Sequence, residues 1–216
     1  MKKVLLINSN IEFLPYPVAP LGISLVASSL LNKYEVKVFD FATDTTDNLI
    51  GFITEFRPDY IGISLRNIDN VTMRRCKWYI NQIRESIVIP IKKKFDTPII
   101  LGGSGFSIAP KEVLEYFNAD YGISGEAEEA FPELLSQLDK DVKDISIPGV
   151  VSKTGNGFKP RAYTKGDLIA YYDQMAPFII PYLKDRPIML HRFPEGIEGI
   201  DFYQKNINFK PPVIDH

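Results

Sequence analysis

Two glycine-rich stretches hold the residue types most able to do chemistry. Leu101–Pro110 reads LGGSGFSIAP and Tyr121–Phe131 reads YGISGEAEEAF. Gly102, Gly103 and Gly105 would let a backbone approach something broad and flat with no Cβ in the way. The bland alternative is a tight strand-to-helix turn. Gly125-Glu126 places an acid where a helix start would favour it; for Glu126 and Glu128 the bland alternative is capping and solvated charge. Metal chemistry is poorly supplied, with one cysteine, Cys76, and two histidines, His191 and His216. A lone thiol forms no internal disulfide and cannot hold a site built from several thiolates. Cys76 falls on an expected helix and reads as a small buried apolar group.

Strands must present those stretches, and the chain supplies five. Residues 3–138 alternate apolar β-branched runs with amphipathic segments. Lys3 to Asn8, Tyr60 to Leu65 and Pro98 to Leu101 read as buried strands, the central ones of the sheet. Tyr34 to Phe41 alternates like a half-exposed edge strand, and Tyr121 to Ser124 is a short fifth. Helices are expected at Pro20 to Leu31, at Thr46 to Phe56 (stopped by Arg57-Pro58), at Pro110 to Phe117 and at Glu126 to Leu138. Thr72 to about Lys94 reads as a long helix or a pair, interrupted at Pro90. Such alternation requires right-handed crossovers and a parallel sheet covered on both faces. The expected fold class is α/β: a doubly wound five-stranded parallel sheet, Rossmann-like or flavodoxin-like, in the order 2-1-3-4-5, with a small α+β C-terminal appendage. Ligands of such sheets bind outside the carboxyl ends of the strands, where the winding reverses. That points to the loops Ser9–Ala19, Arg66–Asn70, Gly102–Ile108 and Gly125–Glu128.

Several familiar ligands fit these loops badly. The first loop, NSNIEFLPYPVAP, has three prolines and no glycine, so it offers few free N–H donors to a flavin phosphate. A GxGxxG dinucleotide fingerprint is missing there, and Gly103-Ser104-Gly105 is only a fragment after another strand. A phosphoreceiver would need an acidic pair after the first strand and an Asp ending the third; Asn8-Ser9-Asn10 and Ser64-Leu65-Arg66 stand there instead.

Four blocks together are more specific. PLGISLVASSL (20–30), YIGISLRNIDN (60–70), ILGGSGFSIAPKEVLEYFNADYGISGEAEEAF (100–131) and IPGVVSKTGNGF (147–158) resemble the N-terminal cobalamin-binding domain of B12-dependent radical SAM proteins, in order and spacing, over roughly residues 1–160. The family's GEGE is here Gly125-Glu126-Ala127-Glu128. Its cluster-binding CxxxCxxC is missing, so no [4Fe–4S] cluster is expected on this chain and a separate radical SAM subunit would have to supply it. The DxHxxG signature that offers a histidine to cobalt is missing too. The resemblance implies cobalamin held without a histidine from this domain, its lower face covered by the 66–70 and 102–107 loops, which include Gly102, Gly103, Gly105 and Ser107. Its nucleotide tail would run beside the glycines, bordered by Ser64 and Ser104. Arg66 and Asn67 would touch corrin amides or phosphate, or else form a solvated loop. Gly125 and Glu126 complete the implied binding set. In the family, cobalamin commonly relays a methyl group to an unreactive carbon or phosphorus.

After about residue 140 the character changes. IPGVVSKTGNGFK (147–159) carries a hairpin signal at its Asn-Gly. A helix, Lys165 to Leu183, and a strand, Ile188 to Arg192, follow. Ala162–Asn206 resembles the opening of the polymerase/primase domain of LigD-type DNA repair ligases, through TKGDL and RPxxLxRxPxGxxGxxFxQK. The paired metal-binding aspartates of that family have no counterpart before His216, so polymerase activity is not expected. Lys165, Arg192 and Lys205 could meet phosphate. Residues 161–216 are electrically neutral, which favours solvated surface. The expected organisation is a cobalamin-binding-like domain at 1–145, a hairpin or linker at 146–160 and a LigD-polymerase-like segment at 161–216.

Composition narrows the rest. A formal charge of -2 across 216 residues gives no basic field for nucleic acid. A hydrophobic content of 45% argues against disorder. No run reaches the ~18 apolar residues of a membrane span, and no signal peptide stands out, so a cytoplasmic protein is expected. A homodimer could form through the amphipathic tail helix. The expected function is a cobalamin-binding module of a radical SAM methyltransferase-type system. The alternatives are a DNA-repair-associated chain or a non-catalytic fusion or scaffold.

Overall fold

In the computed structural model, residues 1–12, 19–69 and 77–153 are described in full, together with short pieces between 169 and 204. By packing, the chain divides into Met1–Arg161 and Ala162–His216.

The first unit is built on β1 (Lys3–Asn8), β2 (Glu35–Asp40), β3 (Tyr60–Ser64), β4 (Ile99–Gly102), β5 (Tyr121–Ile123) and β6 (Val150–Ser152), in the order β2-β1-β3-β4-β5-β6. The first five are parallel, and the winding reverses between β1 and β3 as the sequence predicts. The expected five strands become six. The sixth, Val150–Ser152, lies in the first arm of the segment that carries the hairpin signal and pairs antiparallel with β5, Ile123 opposite Val150. The rest of that hairpin lies outside the described residues.

Alternation along the buried strands feeds two cores. Leu5, Ile7, Ile61 and Ile63 face α2 (Thr46–Phe56), the helices that follow β3 and α6 (Pro110–Phe117). Val4, Leu6, Tyr60 and Ile100 face α1 (Leu21–Leu30) and α7 (Ala130–Asp139). Local signals set several boundaries. Thr45 caps α2 by accepting from the Asn48 amide, and Arg57, left-handed at φ 52° before Pro58, ends it.

Three local expectations are corrected. Pro90 does not interrupt its helix: α3 (Tyr79–Ile83) continues through a π-helical segment, Arg84–Val88, into α4 (Ile89–Lys94). The wider turns place Pro90 at the start of α4, where its missing N–H removes little. Residues 102–108, expected as a loop, contain the short helix α5 (Ser104–Ile108). The helix expected from Glu126 begins only at Ala130, after a turn closed by the Phe131 amide on the Ala127 carbonyl.

In the second unit, residues 169–170, 173–177 and 180–181 are helical, inside the helix expected over Lys165 to Leu183. β7 (Leu190–Arg192) pairs antiparallel with β8 (Phe202–Gln204). Lys165, Lys205 and, in the first unit, Cys76 lie outside the described residues.

Candidate functional site

At the point where the winding reverses, a cleft of about 320 Å³ opens at the carboxyl ends of β1, β3 and β4. Asn8 and Asn10 line it from the end of β1, residues 19–23 from the start of α1, Ser64 and Arg66 from the end of β3, and Gly103 and Ser104 from the turn after β4. Among the described residues no acidic side chain lines it, and Arg66 is its one cation. Helix α1 begins at Pro20 with no side-chain cap. Asn8 is buried and donates its amide to Asp40 at 2.8 Å, and the Ser9 hydroxyl donates to the Ser64 carbonyl at 2.8 Å. The floor of the cleft is therefore fixed from both flanking strands.

The turn after β4 is held against the end of β3. The Leu65 amide donates to the Gly102 carbonyl at 2.7 Å, and the Gly105 amide donates back to the Leu65 carbonyl at 2.8 Å. Ser104 donates its hydroxyl to the Arg66 carbonyl at 2.7 Å. Gly103 sits at φ +94°, and a Cβ there would lie 2.5 Å from the Leu65 carbonyl oxygen. The closeness permitted by Gly103 and Gly105 is thus closeness to Leu65 and Arg66, whereas the sequence suggested an external flat group. Gly102 has no such neighbour.

Ser107 joins two loops. Its hydroxyl donates to the Gly103 carbonyl at 3.1 Å and accepts from the Gly125 amide at 2.9 Å. Gly125, at φ +89°, faces open space, and Gly125 and Glu126 are both exposed beside the cleft without lining it. Asn67 lines a narrow crevice with Ser9, Asn10 and Tyr79. There the Tyr79 hydroxyl donates to Glu12 at 2.7 Å and Lys77 pairs with the same carboxylate at 3.4 Å. The bond to Glu12, then burial, pushes the Tyr79 hydroxyl up to about 12.

Of the ten residues singled out from sequence, Ser64, Arg66, Gly103 and Ser104 meet in the cleft. Gly102, Gly105 and Ser107 do not line it but belong to the turn that carries Gly103 and Ser104, and Asn67, Gly125 and Glu126 lie outside its lining. Asn8 and the first turn of α1 were missed. Their signal was a polar residue ending an apolar strand and a Pro-Leu-Gly at a helix start facing the reversal point. A larger cavity, about 430 Å³, lies between α6 and β6, away from the strand-to-helix turns. Among the described residues no group of three or more potential ligands could hold a metal ion, and no helix is long and apolar enough to cross a membrane.

The lining suits a polar ligand that carries an anion. The Asn8, Asn10 and Ser104 side chains already donate within the chain and keep acceptor capacity for carboxamide protons, and the Arg66 guanidinium can meet an anion with no carboxylate among the described lining residues.

Comparisons with known proteins match both units. Residues 164–215 match the LigD primase-polymerase domain. Tryptophan 2-C-methyltransferase of Streptomyces laurentii is 27% identical over 160 residues, covering 71% of this chain and 26% of that enzyme. Hopanoid C-3 methylase of Methylococcus capsulatus is 28% identical over 147 residues, covering 65% of this chain and 26% of the methylase. The chain thus spans about a quarter of the length of these relatives. The structure of the radical S-adenosylmethionine methyltransferase TsrM from Kitasatospora setae, with cobalamin and a [4Fe-4S] cluster bound, superposes with a TM-score of 0.68 at 30% identity, over 76% of this chain and 30% of that one. Residues 10–135, more than half of the chain, match the B12 binding domain, and the chain belongs to that family.

Proposed function

We propose that the first unit holds cobalamin at the β1/β3 switch point and presents it to a cluster-bearing radical SAM partner. The carrying observation is the cleft itself: amide, hydroxyl and guanidinium groups at the position where this fold binds ligands, in a chain of the B12-binding family. Ser64 and Ser104 border the nucleotide tail. Arg66 and Asn67 meet corrin amides or phosphate, and the turns at 102–107 and 125–126 frame the macrocycle. Residues 1–160 contain no histidine, so cobalt receives no imidazole from them. Bound cobalamin would supply a methyl-carrying cobalt. The protein's part is to orient the corrin and keep one face accessible. The cluster would come from a radical SAM domain, because one cysteine among these 216 residues cannot ligate it. In this reading residues 1–145 form the binding domain, 146–160 connect it onward, and a homodimer through the tail helix is the remaining assembly to test.

The test is an absorption spectrum of the full chain mixed with hydroxocobalamin and desalted. A retained corrin spectrum at about one equivalent is expected, and a colourless protein would overturn the reading. The match of residues 164–215 to the LigD primase-polymerase domain favours a second reading, a DNA-repair-associated chain. Salt-sensitive retention of DNA, with no corrin retained, would select it.

A further inference from the structure

Three hydrogen bonds and two glycines of the turn after β4 converge on Leu65 and Arg66 alone. The Gly102 carbonyl and Gly105 amide fix Leu65 at both its backbone groups. Gly103 removes the Cβ that would strike the Leu65 carbonyl, and Gly105 removes one that would sit 3.1 Å from it. Ser104 then ties down the Arg66 carbonyl. Arg66 is exposed, and the bond to its carbonyl fixes the backbone from which its long side chain leaves the loop, so the guanidinium reaches the cleft from a set starting point.

We propose that residues 102–105 are a seat for Leu65 and Arg66, and that Ser104 is the positioning residue that fixes Arg66, the one described cation of the cleft, toward an amide- and phosphate-bearing ligand. This rests on the cobalamin reading above and assigns Ser104 a different part within it. Its proton is committed to the Arg66 carbonyl, so it acts on the ligand through Arg66. The Gly-Gly-Ser-Gly run thereby has a reason internal to the chain: the two glycines make room and the serine locks.

The experiment is a double-mutant cycle on the full chain, reading hydroxocobalamin affinity and the bound absorption spectrum, with thermal unfolding in parallel. Ser104→Ala is expected to weaken binding about fivefold, the loss of one hydrogen bond, and to shift the bound spectrum. Ser104→Thr restores both. In an Arg66→Ala background, Ser104→Ala has no further effect. Unchanged affinity in Ser104→Ala, or losses that simply add in the double variant, would overturn the assignment. Hydrogen exchange on the ligand-free protein tests the seat separately. The Leu65 and Gly105 amides exchange faster in Ser104→Ala if the seat is real, and unchanged exchange refutes it. A wild-type chain that retains no corrin would count against the cobalamin reading, and the exchange measurement would still decide the seat.

Discussion

The two ends of the parallel sheet solve opposite problems. At the amino end, Asp139 from the last turn of α7 gathers Lys2 at 2.7 Å, the Tyr34 hydroxyl at 2.7 Å and the Tyr60 hydroxyl at 2.7 Å. These four side chains answer one another within the chain. Burial alone would raise the Asp139 carboxyl, but hydrogen bonds from Lys2, Tyr34 and Tyr60 hold it below its ordinary value. Burial, then the bond to Asp139, pushes Tyr34 and Tyr60 up. At the carboxyl end, glycines, backbone-to-backbone bonds and the Ser9, Ser104 and Ser107 hydroxyls fasten the loops to one another, and the Ser64 side chain and the Arg66 guanidinium line a cleft. The amino end closes the fold and the carboxyl end leaves chemistry outward. Because separate residues carry the two tasks, they can be perturbed separately.

The sharpest break is Gly103→Ala. A Cβ against the Leu65 carbonyl, at a φ that side chains rarely adopt, should destabilise the fold by about 3 kcal/mol and abolish corrin retention. Gly125→Ala is its control. The backbone is equally left-handed but the space is open, so a loss of about 1 kcal/mol is expected. Equal denaturation midpoints for the two would refute the seat as a steric device.

Asp139→Asn comes next, at about 1–2 kcal/mol, reduced by the solvent exposure of the Lys2 side chain. Its distinguishing mark is pH. A lowered carboxyl value means the wild-type bonds stabilise fully above the ordinary carboxylate value and are lost as pH falls through the folded one. The raised tyrosines add stability that is complete below about 10 and fades as pH rises toward their shifted values. Urea midpoints across pH should therefore dip at both extremes in the wild type, with the acid dip flattened in Asp139→Asn. Corrin retention should be untouched; a loss would erase the division between the ends. The smallest effect is expected from Tyr79→Phe, about 1 kcal/mol from the bond to Glu12. Because Glu12 belongs to the first loop, beside the crevice that Asn67 lines, the change should also weaken corrin retention slightly. Stability lost with retention intact would place the Tyr79 contact with the closing devices.

Much of this arrangement was legible in the sequence. Helix α6 runs over Pro110–Phe117 as periodicity predicts, and the unbroken apolar runs of β1, β3 and β4 put them in the middle of the sheet. What escaped was whatever depended on distant partners. Val150–Ser152 carries a hairpin signal locally, and only the unpaired flank of β5 explains its place. Pro90 looks like a break until a π segment repositions it. The acid after Gly125 suggests a helix start because the helix dipole favours it there, yet the turn that leads into α7 closes on the Ala127 carbonyl. In the site, Arg66 and Ser104 could be read from residue type, but which atoms the glycines accommodate could not: a missing side chain says only that something comes close.

The flanks of the sheet carry one more consequence. Among the described residues, the three-residue β6 borders one side and the six-residue β2 the other. A six-residue border with unsatisfied main chain invites stray strands from other molecules. Here exposed Glu35 and Lys37 punctuate it, and the Lys37 ammonium rests 4.7 Å from the centre of the Phe56 ring. An incoming strand would have to strip water from those charges, so this margin discourages edge-to-edge aggregation even though Val38 stands exposed upon it.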